Sequence, residues 1–398
     1  MRLKLLLATA AVLIAAPAMA DTTVIHAGTL ITDAGATSNG PATITVTDGR
    51  ITKVEAGHQP FEGADTYVDL RGKTVLPGLI DLHTHLTGDP EGDFWKEAVE
   101  PDEWGVVVGA KNARLTVLAG FTTVREAGSA QHTAFSLHRA TAEGLMPGPR
   151  IIAAGPALSI VGGHGDTNGF RPEINEALDS GYTCTGPVQC AEKVRLASQN
   201  GADVIKITAT GGVLSQQGRG LEAHFTLEEM TAIARTAHSL GLKVMAHAHG
   251  ARGIEAVAKA GIDTVDHGTY IDEAAAKAMR ENGTVLIPTL MALQGVSEGI
   301  GKGVYTPVVE AKIRAVEPYM ATLVSRARQH GVTIAFGTDA GVYQHGRNAE
   351  EFRLMMAQGM TSREALASAT TTAAKVLGME SEIGRIAVGY SADIIAVQ

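Results

Sequence analysis

Short runs rich in Val, Ile and Thr occupy residues 22–32, 42–47, 50–56 and 66–70, set apart by Gly, Asp or Pro. That pattern predicts strands. The final stretch, 384–397, has the same character. Two β-rich pieces at opposite ends of a chain imply one small domain built from both, expected here as a β-sandwich of residues 21–76 and 381–398. The middle has a different rhythm. Apolar segments begin near Gly78, Phe121, Arg150, Ala202, Lys243, Thr264, Thr284 and Thr333, and helical patterns cover 102–119, 226–240, 251–260, 272–282, 308–330 and 349–377. Thr226 followed by Glu229 is a capping-box signature. Eight β–α alternations predict a (β/α)8 TIM barrel over 77–380, an α/β fold. An open doubly wound sheet is the alternative, but no Gly-x-Gly-x-x-Gly follows the first strand.

The first 20 residues fit neither pattern. Arg2 and Lys4 precede an apolar run over 5–16, and Pro17-Ala18-Met19-Ala20 ends in small residues. This reads as a signal peptide cleaved after Ala20, which places the mature chain in the periplasm or outside the cell. An uncleaved anchor is the other reading, although the run is short against the roughly 20 residues of a spanning helix. No later run is long enough to span, so no stable membrane insertion is expected after cleavage. In an oxidising compartment Cys184 and Cys190, six apart beside Gly186 and Pro187, are expected to pair locally. Two free buried thiols are the alternative. The net charge of −9, from 33 basic and 42 acidic residues, argues against nucleic acid as a partner, which calls for a basic face.

In a barrel, chemistry gathers at the C-terminal strand ends. The first strand reads Leu79-Ile80-Asp81-Leu82-His83-Thr84-His85. Strand side chains alternate, so His83 and His85 share a face and can bind one cation. The fourth places Lys206 between Ile205 and Ile207. It either snorkels to water or carries a carboxylate added by carbon dioxide that bridges two metals. The fifth holds His247 and His249, the sixth His267, the eighth Asp339. Singly, His267 could be a core histidine and Asp339 a helix cap. In order on five strands, the set suits zinc or a similar divalent ion.

This order resembles the amidohydrolase superfamily, above all in Pro77-Gly78-Leu79-Ile80-Asp81-Leu82-His83-Thr84-His85. The resemblance implies that His83, His85 and Asp339 bind one metal, and His247 and His267 a second. Lys206, N6-carboxylated, would bridge both ions, and Zn2+ is the ion the resemblance implies. It favours His247 over His249, because the first histidine of this strand usually supplies the ligand. It also implies symmetric oligomers, often octamers. The runs 158–166, 206–212 and 246–250 look like the Xaa-Pro dipeptidase and carboxypeptidase-like amidase branch, which includes ochratoxin-hydrolysing enzymes. Arg125-Glu126 departs from the Arg-Asp expected there.

The implied reaction is hydrolysis of a dipeptide or N-acyl amino acid, with Asp339 moving the proton from water to the departing amine. A free substrate carboxylate needs an anchor; His164, His249, Arg219, Tyr270 and His345 are the candidates. Trp95 and Trp104 could roof an apolar pocket. A cyclic-amide or ester hydrolase on the same scaffold is the alternative, and a non-catalytic metal-binding protein a third reading.

Overall fold

The structure is a computed structural model that describes residues 21–36, 40–90, 94–216, 218 and 220–398. The expected signal peptide lies outside the described residues.

The chain enters through four strands: β1 (Thr22–Leu30), β2 (Ala42–Thr47), β3 (Arg50–Ala56) and β4 (Thr66–Pro77). It continues through β5 (Leu79–Thr84), β6 (Phe121–Glu126), β7 (Arg150–Ala153), β8 (Val204–Thr208), β9 (Lys243–Ala248), β10 (Thr264–His267) and β11 (Val285–Ile287). It ends with β12 (Ile394–Val397). The two chain ends do meet: β12 pairs antiparallel with β4 in one mixed sheet ordered β12-β4-β1-β2-β3. Among the described residues this is a single five-stranded sheet, where the sequence suggested a sandwich of two. Ile25, Leu30, Ile44, Ile51, Val75 and Ile386 form its apolar core, the burial that keeps a small sheet stable.

The middle of the chain is α/β with two parallel sheets, β5-β6-β7 and β8-β9-β10-β11. Backbone hydrogen bonds join them at both ends. After β7, Leu158 donates to Lys206 and accepts from Thr208. Within β11, Leu286 donates to Thr333 and accepts from Ala335, while Leu82 donates to Phe336 and His85 to Ala340. The eighth apolar segment, expected as a strand from Thr333, is therefore extended backbone held by isolated bridges to β11 and β5. Its register breaks at Asp339, whose φ is 63°, a conformation no strand interior tolerates.

Helices fill the intervals as expected over Asp102–Leu118, Leu227–Ser239, Ala251–Lys259 and Glu273–Asn282, and the Thr226–Glu229 capping box is formed. Two long helical patterns are broken. The first divides into Pro307–Met320 and Leu323–Gln329, the second into Glu350–Ala357, Ser362–Ser368 and Thr371–Leu377. Thr361 starts the middle piece with its own capping box, so a polar cap overrides a continuous apolar period. Helices over Thr133–Ala142, Pro187–Gln199 and Leu290–Ser297 complete the alternation. Cys184 and Cys190 are disulfide-bonded.

Candidate metal centre

The C-terminal ends of β5, β8, β9 and β10 and of the eighth segment converge on one cavity of about 400 Å3. Two clusters of metal-type donors line it: His83, His85 and Asp339, and His247, His249 and His267, each with its donor atoms within 4.8 Å of one another. Lys206 lines the same cavity and is 4% exposed, so it does not snorkel to solvent. Apolar side chains line the cavity as well: Val213, Leu293, Val296, Val316, Met320 and Val342.

The first cluster is held from behind. His83 Nε2 and His85 Nε2 each lie 3.4 Å from Asp339 Oδ1. Their outer nitrogens are fixed by Asp266 Oδ2 at 2.9 Å and the Gly128 carbonyl at 2.9 Å. A carbonyl only accepts, so His85 Nδ1 carries the proton and Nε2 presents a lone pair. Asp339 Oδ1 is buried without a hydrogen-bond partner, an orphan that calls for a cation. Its neighbour Gly341 (φ 121°) packs against β5, where a Cβ would come within 2.7 Å of the His85 carbonyl oxygen.

The second cluster follows the same rule. His267 Nδ1 meets Thr289 Oγ1 at 2.7 Å, and His249 Nδ1 meets Thr269 Oγ1 at 2.7 Å. His247 Nε2 donates to the Gly211 carbonyl at 3.2 Å, which leaves Nδ1 as its free donor atom.

Burial drives the electrostatics. It pushes His247 and His267 well below the usual histidine range, and His249 to about 3. These rings are neutral at pH 7, the form that binds metal. His83 goes the other way: burial and Lys206 lower it, but Asp339 and Asp266 outweigh them. Burial also lowers Lys206, against the pull of Asp266 and Asp339. Asp339 stays below the usual carboxylate range: burial would raise it, but His83, His85 and Lys206 hold it down.

Of the expected substrate anchors, His164 and His249 line the cavity. His164 Nδ1 bonds Ser215 Oγ at 2.5 Å, and its ring lies 4.3 Å from that of His247. Tyr270 and His345 do not line it. Tyr270 packs against Tyr319. His345 is buried behind β5, held by Thr116 Oγ1 and the His85 carbonyl, so it supports the His85 backbone. Arg219 lies outside the described residues. Trp95 and Trp104 are half exposed and outside the cavity lining.

Asp266, Arg125 and Glu126, all buried, also belong to the site, although the sequence pattern gives Asp266 no role and marks Arg125-Glu126 only as a departure. Asp266 bonds His83, accepts from Arg125 Nη2 at 3.3 Å and lies 3.9 Å from Lys206 Nζ. A signal for them exists in the sequence, since a charge inside an apolar strand needs a partner. Glu126 Oε2 accepts from the Leu86 amide at 2.7 Å, Oε1 has no partner, and burial pushes the carboxyl up to about 8.

The sequence profile of the amidohydrolase family matches residues 74–398. An ochratoxinase from Aspergillus niger is 31% identical over 95% of this chain and 82% of its own length. A solved Xaa-Pro dipeptidase with methionine bound in its active site is 37% identical, with a TM-score of 0.88 over 94% of this chain and 93% of that one. A prolidase solved with N-methylphosphonate-L-proline is 31% identical, with a TM-score of 0.85 over 94% and 92%. With a profile match over most of its length and its metal-type donors gathered in one cavity, the chain belongs to the amidohydrolase family and is a metal-dependent hydrolase.

Proposed function

We propose that the chain is an exported binuclear amide hydrolase. It cleaves dipeptides or N-acyl amino acids with proline or an aromatic residue on the carboxyl side, ochratoxin-like amides included. One observation carries this reading: two imidazole-rich clusters share a cavity with a buried lysine and a buried carboxylate oxygen that makes no hydrogen bond. A relative that holds methionine and another that holds a proline phosphonate support an amino acid as one half of the substrate. The hydrogen bonds that lead from β11 through residues 333–340 to β5 support a closed (β/α)8 barrel over 77–380, with the chain-end sheet as a separate domain. The N-terminal 20 residues favour export to the periplasm or medium, and an oligomer, octameric in the family pattern, is the expected assembly.

The donors fit two divalent cations, with zinc suited to a histidine and carboxylate set. His83, His85 and Asp339 would hold one; His247, through Nδ1, and His267 would hold the other. Bound there, the pair lowers the pKa of a water toward about 7 and polarises the scissile carbonyl. Lys206 would bridge them as a carbamate. Its lowered pKa favours the free amine, whose nitrogen bonds the carbon of carbon dioxide and sheds one proton. Asp339 accepts the proton of the attacking water and delivers it to the departing amine. His249 and His164 face the cavity as hydrogen-bonding groups for the substrate carboxylate, and the apolar lining takes its side chain.

The test is a panel of Xaa-Pro dipeptides and N-acyl aromatic amino acids run against lactams and lactones. Open-chain amides are expected to reach kcat/KM of at least about 10^4 M−1 s−1. Turnover of lactams or lactones with inert open-chain amides would overturn the reading.

A further inference from the structure

Two buried polar residues that touch neither donor cluster each brace one of them. Asn348 and Glu351 sit at the start of the helix Glu350–Ala357, both 0% exposed, and neither lines the cavity. Asn348 Nδ2 donates to Asp81 Oδ2 at 2.8 Å. Asp81 in turn accepts from the His83 amide at 3.1 Å, the Thr338 amide at 3.1 Å and Thr338 Oγ1 at 2.6 Å. This carboxylate therefore ties the backbone of His83 to the residue before Asp339, and Asn348 fixes the carboxylate. Glu351 works on the other side. Its two oxygens accept from the Leu290 amide at 2.9 Å and the Met291 amide at 2.7 Å. Those amides open the helix that follows Thr289, whose φ is 46° and whose Oγ1 meets His267 Nδ1 at 2.7 Å.

A left-handed conformation at a β-branched residue is strained and persists only where its surroundings over-determine it. Here the carboxylate anchors the next two amides, so Thr289 cannot relax and His267 keeps its orientation. Groups that orient metal ligands from behind influence affinity by about 10–100-fold.

We propose that Asn348 and Glu351 are a pair of positioning residues with divided labour. Asn348 sets the cation site of His83, His85 and Asp339, and Glu351 sets the site that contains His267. This rests on the reading that both clusters bind cations.

The test titrates the full chain, stripped by chelation, with Zn2+ alone and follows binding by calorimetry. His85→Ala and His267→Ala identify which binding event belongs to which cluster. Glu351→Gln is expected to weaken the His267 event about 10–100-fold and leave the other within about twofold; Asn348→Ala is expected to do the reverse. In a double-mutant cycle, Glu351→Gln adds nothing to His267→Ala. Should Asn348→Ala fail to fold, Asn348→Ser replaces it. Equal weakening of both events by either variant, or of neither, overturns the division. Absence of zinc uptake by the wild-type chain would instead overturn the proposed function itself.

Discussion

At the scale of single residues, five members of the site were legible because an imidazole or ammonium side chain interrupts an apolar strand, whereas the pattern assigned no role to Asp266, Arg125 and Glu126. His83, His85, Lys206, His247 and His267 all announce themselves that way, and the structure gathers them in one cavity. Asp339 is the most exposed to a direct chemical test. As the proton carrier it is expected, when changed to Asn, to lower kcat by about 10^2–10^4; a near-normal rate would remove it from that role. Gly212 tests the neighbouring subsite. A Cβ there would sit 2.2 Å from the ring of His164, so Gly212→Ala must displace that imidazole. The expected result is a raised KM with zinc content unchanged. An unaltered KM for carboxylate-bearing substrates would separate His164 from substrate binding. Tyr270 and His345 were illegible in sequence because their partners, Tyr319, Thr116 and the His85 carbonyl, come from distant segments.

At the scale of elements, period and β-branched content placed the strands well and several helix ends poorly. The broken pattern at 349–377 shows why: an apolar period continues across a junction that the Thr361 capping box interrupts, whereas the break at Thr322 within 308–330 carries no side-chain cap. Positive φ at His267, Thr289 and Asp339 was likewise invisible, since no glycine marks those positions. One ion pair gives this scale a pH test. His138, on the helix Thr133–Ala142, bonds Asp203 Oδ2 at 3.0 Å, and the same oxygen accepts from the Ala153 amide at 2.9 Å. That bond to Asp203 raises the histidine above its ordinary value of 6.5. The protonated form is thus favoured by folding, so the stabilisation is complete below about pH 6.5 and is lost as pH rises through the higher folded value. The difference in Tm between wild type and His138→Gln is expected to shrink from pH 5.5 to pH 8.5, each taken as an approximate bracket of that window. A constant difference would assign the pair no role in stability.

At the scale of the whole molecule, the meeting of the chain ends was legible from composition, because two β-rich pieces that flank an α/β middle have no other partner. Their arrangement was not: a single five-stranded sheet with β12 beside β4 depends on register that composition does not carry. The centre itself joins segments more than 250 residues apart in the chain, from His83 to Asp339, so the fold and the site stand or fall together. The most direct test of that centre is zinc titrated back into chelator-stripped enzyme while hydrolysis of an Xaa-Pro dipeptide is followed. Activity is predicted to be absent in the stripped chain and to return in full at two ions per chain. Undiminished turnover by the stripped chain, or full recovery with a single ion, would contradict a paired-cation centre.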